Sequence, residues 1–320
     1  MGLRGRAAAL ALAGLSLAGC GGGGSGDAGR ATTTATAPTP SPSLRIFAYD
    51  ASRPLGYRDA GRVNSPYPIA VDAVSYAAPS GRVQGYLAAP EHGAKLPAVI
   101  YLHGSGESRE RFLLPAVWAA GKRAVGMTLT LPSSTAGAAP AGLTPVQRLA
   151  RDQQIFVADV VAVRRAVDVL RSLPRVDPGR IGLVGWSLGA RVAAVAAGAE
   201  PHIKAVVLMS GGSLPVSEYA AQAPAGLRPE VRRSLTAIDP LRWLARAHAG
   251  SVLLQDGRKD EIVPRAALVA LQKAAPQGSV VRWYQAGHDL NAQVYRDQLA
   301  FLAKVLPIAG PPVPGAKTGP

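Results

Sequence analysis

The sequence predicts an α/β protein: a mostly parallel, doubly wound sheet with an antiparallel hairpin leading it. Three observations predict this class. Short, uninterrupted apolar runs such as Pro-Ala-Val-Ile-Tyr-Leu at 97–102 read as strands covered on both faces. From that run onward, strand-like segments alternate with segments of helical spacing, the pattern of parallel strands joined by crossover helices. Two β-rich runs, 69–76 and 82–88, come first and are separated by Ala-Ala-Pro-Ser-Gly, a hairpin signal.

In chain order, a helix is expected over about 109–120 and a strand over 124–131. Residues 130–144, rich in Ser, Ala and Gly, read as a mobile loop. Residues 152–173 place Ile155, Phe156, Val160, Val163, Val167 and Leu170 near helical spacing, and Pro174 with Asp177-Pro178-Gly179 ends the helix. A buried strand follows at 181–184. The Ala- and Val-rich stretch 188–199, with Gly198 near its end, fits a helix packed tightly on a sheet. Strands are expected at 203–209, 251–255 and 279–284, and helices at 265–275 and 289–305. Between two of these strands, residues 213–249 mix Pro, Ala and Arg with Leu235, Leu241, Trp243 and Leu244, and read as a short cap.

The 320 residues, 48% hydrophobic and 17% charged, supply apolar material for one large core. Arg4 and Arg6 precede an apolar segment, 7–18, that is too short to span a bilayer but fits the core of a signal peptide. The expected organisation is a signal peptide at 1–19, a flexible Gly/Thr/Pro tether at 20–43, a folded domain at 44–308 and a disordered tail at 309–320. Leu17-Ala18-Gly19-Cys20 resembles the lipobox of bacterial lipoproteins, in which the cysteine carries the lipid. Cys20 is the only cysteine, so no internal disulfide competes for it. This implies a membrane partner through lipidated Cys20, and a domain held on the outer face of the cell membrane. The basic residues behind the formal charge of +15 are scattered, often singly, among Ala, Val and Leu, without the clustered basic runs of a nucleic-acid groove. The charge suits solubility and attraction to anionic lipid or wall polymers, and nucleic acid is not an expected partner.

Ligand chemistry in such sheets sits at the carboxyl ends of the strands. Four polar segments lie there: His103-Gly104-Ser105-Gly106, Gly185-Trp186-Ser187-Leu188-Gly189, Asp256-Gly257-Arg258-Lys259-Asp260-Glu261, and Gln285-Ala286-Gly287-His288. G-x-S-x-G between a buried strand and a helix is a nucleophile elbow, a turn so sharp that small residues must flank the serine. With a base and a carboxylate following in the order Ser, Asp, His, the set points to nucleophilic catalysis by Ser187, with His288 as general base and then acid. No His/Cys/carboxylate cluster has metal-ligand spacing and no phosphate-cradling glycine loop appears, so neither metal nor cofactor is indicated.

These motifs, HGSG at 103–106, DPGRIGLVGWSLGA at 177–190, DGRKDEIVP at 256–264 and AGHDL at 286–290, resemble those of serine α/β-hydrolases. The similarity covers roughly residues 70–305 and is nearest to the dienelactone-hydrolase-like and prolyl-oligopeptidase-like esterase branches. The resemblance implies the α/β-hydrolase fold and hydrolysis of small to medium carboxylic esters through an acyl-enzyme. Family segments with Asp two or three residues before Val-Pro favour Asp260 as the triad acid over Asp256 and Glu261. The oxyanion donors implied are the N–H groups of Leu188 and Ser105, with His103 supporting their loop. Trp186, beside the nucleophile, is a candidate wall of the acyl pocket. His92, His202 and His248 read as solvated. Dienelactone hydrolases proper use cysteine, so Ser187 argues for an ordinary esterase. A serine peptidase of prolyl-oligopeptidase type and a catalytically silent surface lipoprotein are the rival readings.

Overall fold

The apolar runs of the sequence form the middle of one twisted sheet in the computed structural model, which describes residues 43–248 and 250–308. Its strands are β1 (Arg58–Arg62), β2 (Val71–Ala78), β3 (Gly81–Ala88), β4 (Leu96–Leu102), β5 (Val125–Leu129), β6 (Val176–Trp186), β7 (Ile203–Met209), β8 (Val252–Gly257) and β9 (Val280–Tyr284). Every residue of β4, β5 and β8 is buried, as strands covered on both faces require. The spatial order is β1-β2-β3-β5-β4-β6-β7-β8-β9. Pairing is antiparallel from β1 through β3 to β5 and parallel from β5 to β9. The chain leaves β4 for β5 on one side and then crosses to β6 on the other. The winding therefore reverses between β4 and β6, and this opens a crevice at their carboxyl ends.

The predicted fold class matches, with differences of detail. Ala78 pairs with Gly81, so the hairpin turn is only Pro79-Ser80 and both strands extend into the expected loop. Strand β1 was not expected. Its sequence, Arg-Asp-Ala-Gly-Arg, is exposed at every position and has no apolar alternation to mark it. Charged side chains on such an edge discourage pairing with another chain.

The helices are α1 (Leu113–Gly121), α2 (Pro132–Thr135), α3 (Pro145–Ser172), α4 (Leu188–Ala199), α5 (Val216–Gln222), α6 (Arg228–Ala237), α7 (Pro240–Leu244), α8 (Arg265–Ala274) and α9 (Gln293–Val305). Helix α3 begins seven residues before the expected start at 152. Thr144 and Gln147 form a reciprocal capping box with Pro145 in the first turn, which starts the helix ahead of its apolar stripe. The expected helix at 109–120 is a 3-10 turn, Arg109–Phe112, followed by α1. Helix α9 starts later than expected because the chain still turns at Leu290, whose φ is 62°.

Alternation along the strands divides the core into two layers. Ile100, Leu102 and Leu183 face α3 and α4, whereas Val99, Tyr101 and Val184 face α1 and α9. Within the expected cap, α7 belongs to the core. Trp243 is fully buried, sits edge-on to Phe47 at 5.1 Å, and donates to Ala237 O. The cap proper is α5 and α6, which share a small apolar cluster of Ala220, Val231 and Leu235. A β-carbon on Gly198 would lie 2.0 Å from Trp243 O, so α4 is seated directly against α7.

The expected signal peptide, the lipidation site Cys20, the tether up to residue 42 and the tail from 309 lie outside the described residues. Among the described residues no helix is long and apolar enough to cross a membrane.

Candidate active site

The turn from β6 into α4 confines Ser187 to φ 56° and ψ −116°, a backbone region that residues with side chains rarely adopt. The neighbouring backbone requires small residues on either side. A β-carbon on Gly185 would lie 2.2 Å from Gly189 O, and one on Gly189 would lie 2.4 Å from Leu102 O. Ser187 N–H donates to Met209 O at 2.8 Å, pinning the turn to the end of β7.

The structure brings Ser187, His288 and Asp260 together. Ser187 Oγ is 2.9 Å from His288 Nε2, and His288 Nδ1 is 2.9 Å from Asp260 Oδ2. Asp260 Oδ1 accepts from the N–H groups of Ile262 and Val263, each at 2.9 Å. Burial pushes the Asp260 carboxyl up, but the hydrogen bonds from His288, Val263 and Ile262 outweigh it and hold the group below its ordinary value. Asp260 is therefore an ionised acceptor. The proton of the imidazole is on Nδ1, and Nε2 is left with a lone pair aimed at the serine hydroxyl.

The other two acids are placed elsewhere. Asp256 is buried and accepts from Gln272 Nε2 at 2.6 Å. Burial, with the Asp260 charge adding to it and the Gln272 bond opposing, pushes its carboxyl up to about 6. The Glu261 side chain is exposed.

His288 is held through its own carbonyl, which accepts from Trp186 Nε1 at 2.9 Å and from Ser210 Oγ at 3.1 Å. The Trp186 ring lies 5.1 Å from the imidazole and beneath the Arg111 guanidinium at 4.5 Å, and the residue is only 8% exposed. Trp186, the candidate wall of the acyl pocket, packs against the base and its loop. Ser210, buried just past β7 with φ 49°, escaped the sequence reading. Its position immediately after a strand was the only signal it carried.

His103 is buried, and its ring is fixed by two backbone groups. Leu131 N–H donates to Nε2 at 3.0 Å, so the ring proton is on Nδ1, which donates to Gly104 O at 2.7 Å. Burial lowers the imidazole's pKa, in keeping with a neutral ring. Because the peptide is planar and trans, tying the Gly104 carbonyl to His103 turns the Ser105 N–H to the opposite side. Gly104 lies directly on the nucleophile: a β-carbon there would be 2.5 Å from the Trp186 ring and 3.3 Å from Ser187 Cβ. Leu188 N–H, first in α4, has no carbonyl within its own helix. The two N–H groups expected to face a developing oxyanion thus belong to the segments that flank Ser187.

A further carboxylate steadies this region from behind. Asp159 of α3 is fully buried, and its Oδ1 accepts from Ser133 N–H at 2.8 Å, at the start of α2 and two residues from the Leu131 that holds His103. Its Oδ2 has no hydrogen-bond partner among the described residues. Burial, only partly offset by Ser133, pushes its carboxyl up to about 7. Between the ordinary carboxylate range and about 7 the folded protein keeps a proton that the unfolded chain has released. The stability this group contributes is therefore full at low pH and is lost as pH rises through about 7. Asp159→Asn is expected to lessen the fall in melting temperature between pH 5 and pH 8 by several degrees, read by circular dichroism. An unchanged slope would place the titration elsewhere.

Among the described residues no group of three or more His, Cys, Asp or Glu side chains is placed to hold a metal ion.

Residues 99–313 match the model of the alpha/beta hydrolase family. Comparison with curated proteins finds no match. Among solved structures, the acetyl xylan esterase from Paenibacillus sp. R4 superposes with a TM-score of 0.69 at 18% identity, over 82% of this chain and 92% of that one. Acetyl xylan esterase 1 from Thermoanaerobacterium sp. JW/SL YS485 gives 0.64 at 19% identity, over 82% and 91%. A puromycin-hydrolyzing peptidase of Mycobacterium tuberculosis gives 0.58 at 20% identity, over 76% of this chain and 40% of that one. At these identities the likeness is one of fold.

Proposed function

Because this chain belongs to the alpha/beta hydrolase family, we propose that it cleaves carboxylic esters of small to medium acyl substrates through an acyl-enzyme on Ser187. The observation that carries this reading is the unbroken chain of hydrogen bonds from Ser187 Oγ through the imidazole of His288 to Asp260. Ser187 attacks the ester carbonyl as its proton passes to His288 Nε2. Asp260 stabilises the imidazolium so formed without taking the proton itself. The tetrahedral oxyanion is met by the N–H groups of Leu188 and Ser105, already oriented before charge develops. Collapse expels the alcohol, which takes the proton back from His288, and water then repeats the cycle on the acyl-enzyme. The two acetyl xylan esterases that share the fold make acetyl esters the first substrates to try.

A fluorophosphonate probe tests the proposal. Stoichiometric labelling at neutral pH that vanishes in Ser187→Ala is expected, with p-nitrophenyl acetate and butyrate turned over and aminoacyl-arylamides not. Absence of labelling would favour a silent binding protein, and faster arylamide cleavage would make the enzyme a peptidase.

A further inference from the structure

Helix α4 is buried almost all round, and the exceptions are informative. Of its twelve residues only Leu188, Arg191 and Gly198 are partly accessible, and Gly198 is at the far end against α7. Leu188 and Arg191 are three apart, and Arg191 follows Ser187 by four, so all three lie on one face of the helix. Arg191 is thus one of the few points at which α4 is not covered, one helical turn from Ser187.

The side chain is anchored to the backbone. Arg191 Nε donates to Gly211 O at 2.8 Å, one residue beyond the Ser210 that holds the His288 carbonyl. Tyr219 of the cap helix α5 is also close to Arg191. No carboxylate stands within salt-bridging distance of its guanidinium among the described residues. Its terminal nitrogens make no hydrogen bond there either, although burial lowers the pKa of this cation. Arg111, also close to the site, differs in being neutralised by Glu107 and Asp289. A desolvated guanidinium that lacks an anion in its own protein is a costly arrangement unless a ligand supplies the anion. With Nε anchored, the two free ends form the planar fork that matches a carboxylate.

We propose that Arg191 is a specificity residue that binds a carboxylate carried by the substrate, so that the preferred esters are anionic, such as half-esters of short dicarboxylic acids. This rests on the reading of Ser187 as an esterase nucleophile. The test compares monoethyl succinate, monoethyl glutarate and O-acetylglycolate, which place the charge on the acyl or the alcohol side, with neutral ethyl valerate. Wild-type enzyme is expected to favour at least one anionic ester. In Arg191→Gln the ratio of its kcat/KM to that of ethyl valerate should fall roughly 10- to 100-fold, carried mainly by KM, with Arg191→Lys in between. No preference in the wild type, or an equal loss on charged and neutral esters, would overturn the proposal. A readout without turnover separates it from the parent reading: glutarate should raise the melting temperature of Ser187→Ala but not of the Ser187→Ala/Arg191→Gln double variant. If that shift is seen while no ester is cleaved, the anion site stands and the esterase reading falls. If glutarate has no effect on Ser187→Ala while ethyl valerate is cleaved by wild type, the anion site falls alone.

Discussion

Replacing Ser187 by alanine is expected to lower ester turnover by about 10⁶-fold in kcat, with His288→Ala alone costing nearly as much. The double variant should be no slower than either single one. In the proposed mechanism nucleophile and base act as a unit, because among the described residues the Ser187 hydroxyl is hydrogen-bonded to His288 Nε2 and to no other base. Once one is gone, the other contributes nothing further. Asp260→Asn is expected to cost less, about 10⁴-fold, because an amide no longer fixes the Nδ1 proton although the ring stays in place. Single-turnover kinetics with p-nitrophenyl acetate measures all four. Losses that add in the double variant would mean that the two side chains act in separate steps, and a His288→Ala enzyme at a tenth of wild-type rate would remove His288 from the chemistry.

The second large effect falls on stability. Gly185→Ala places a β-carbon 2.2 Å from Gly189 O and 2.4 Å from Gly189 C, both backbone atoms of the first turn of α4. No rotamer can relieve a clash between two main chains, so either β6 or α4 must move. Helix α4 has little room, since Gly189 bears on the end of β4 and Gly198 on α7. The loss should exceed about 4 kcal/mol, at the severe end of single substitutions. Urea unfolding followed by tryptophan fluorescence reads it. Gly226→Ala is the matched control, because a β-carbon there meets nothing within 4 Å, and its effect should stay within about 0.5 kcal/mol. Similar midpoints for the two variants would mean that the elbow is looser than its geometry indicates.

What the sequence made legible, and what it did not, follows from where each signal comes from. The central strands announced themselves because burial on both faces leaves an unbroken apolar run, as in β4, and the polar residues of interest sit at the ends of such runs. The G-x-S-x-G pattern was readable because its glycines answer a steric demand between residues close in the chain. Strand β1 carried no pattern, since an exposed edge imposes none. The start of α3 was missed because it is set by the capping box of Thr144 and Gln147, a feature of hydrogen bonding and not of hydrophobic period. The support of His288 by Trp186 and Ser210 spans 102 and 78 residues of chain, so no spacing rule reaches it. Trp243 of α7 looked like a cap residue from its neighbours in sequence, yet its partner Phe47 lies near the other end of the chain.

Ser187, Asp260 and His288 follow the ends of β6, β8 and β9, while α5 and α6 of the cap share a small apolar cluster of their own. On the reading of Arg191 as a carboxylate-binding residue, bond breaking and substrate choice share one helix, since Arg191 follows Ser187 by four residues in α4. A change of preferred ester would then have to be made within a turn of the elbow, where the packing of α4 leaves little freedom.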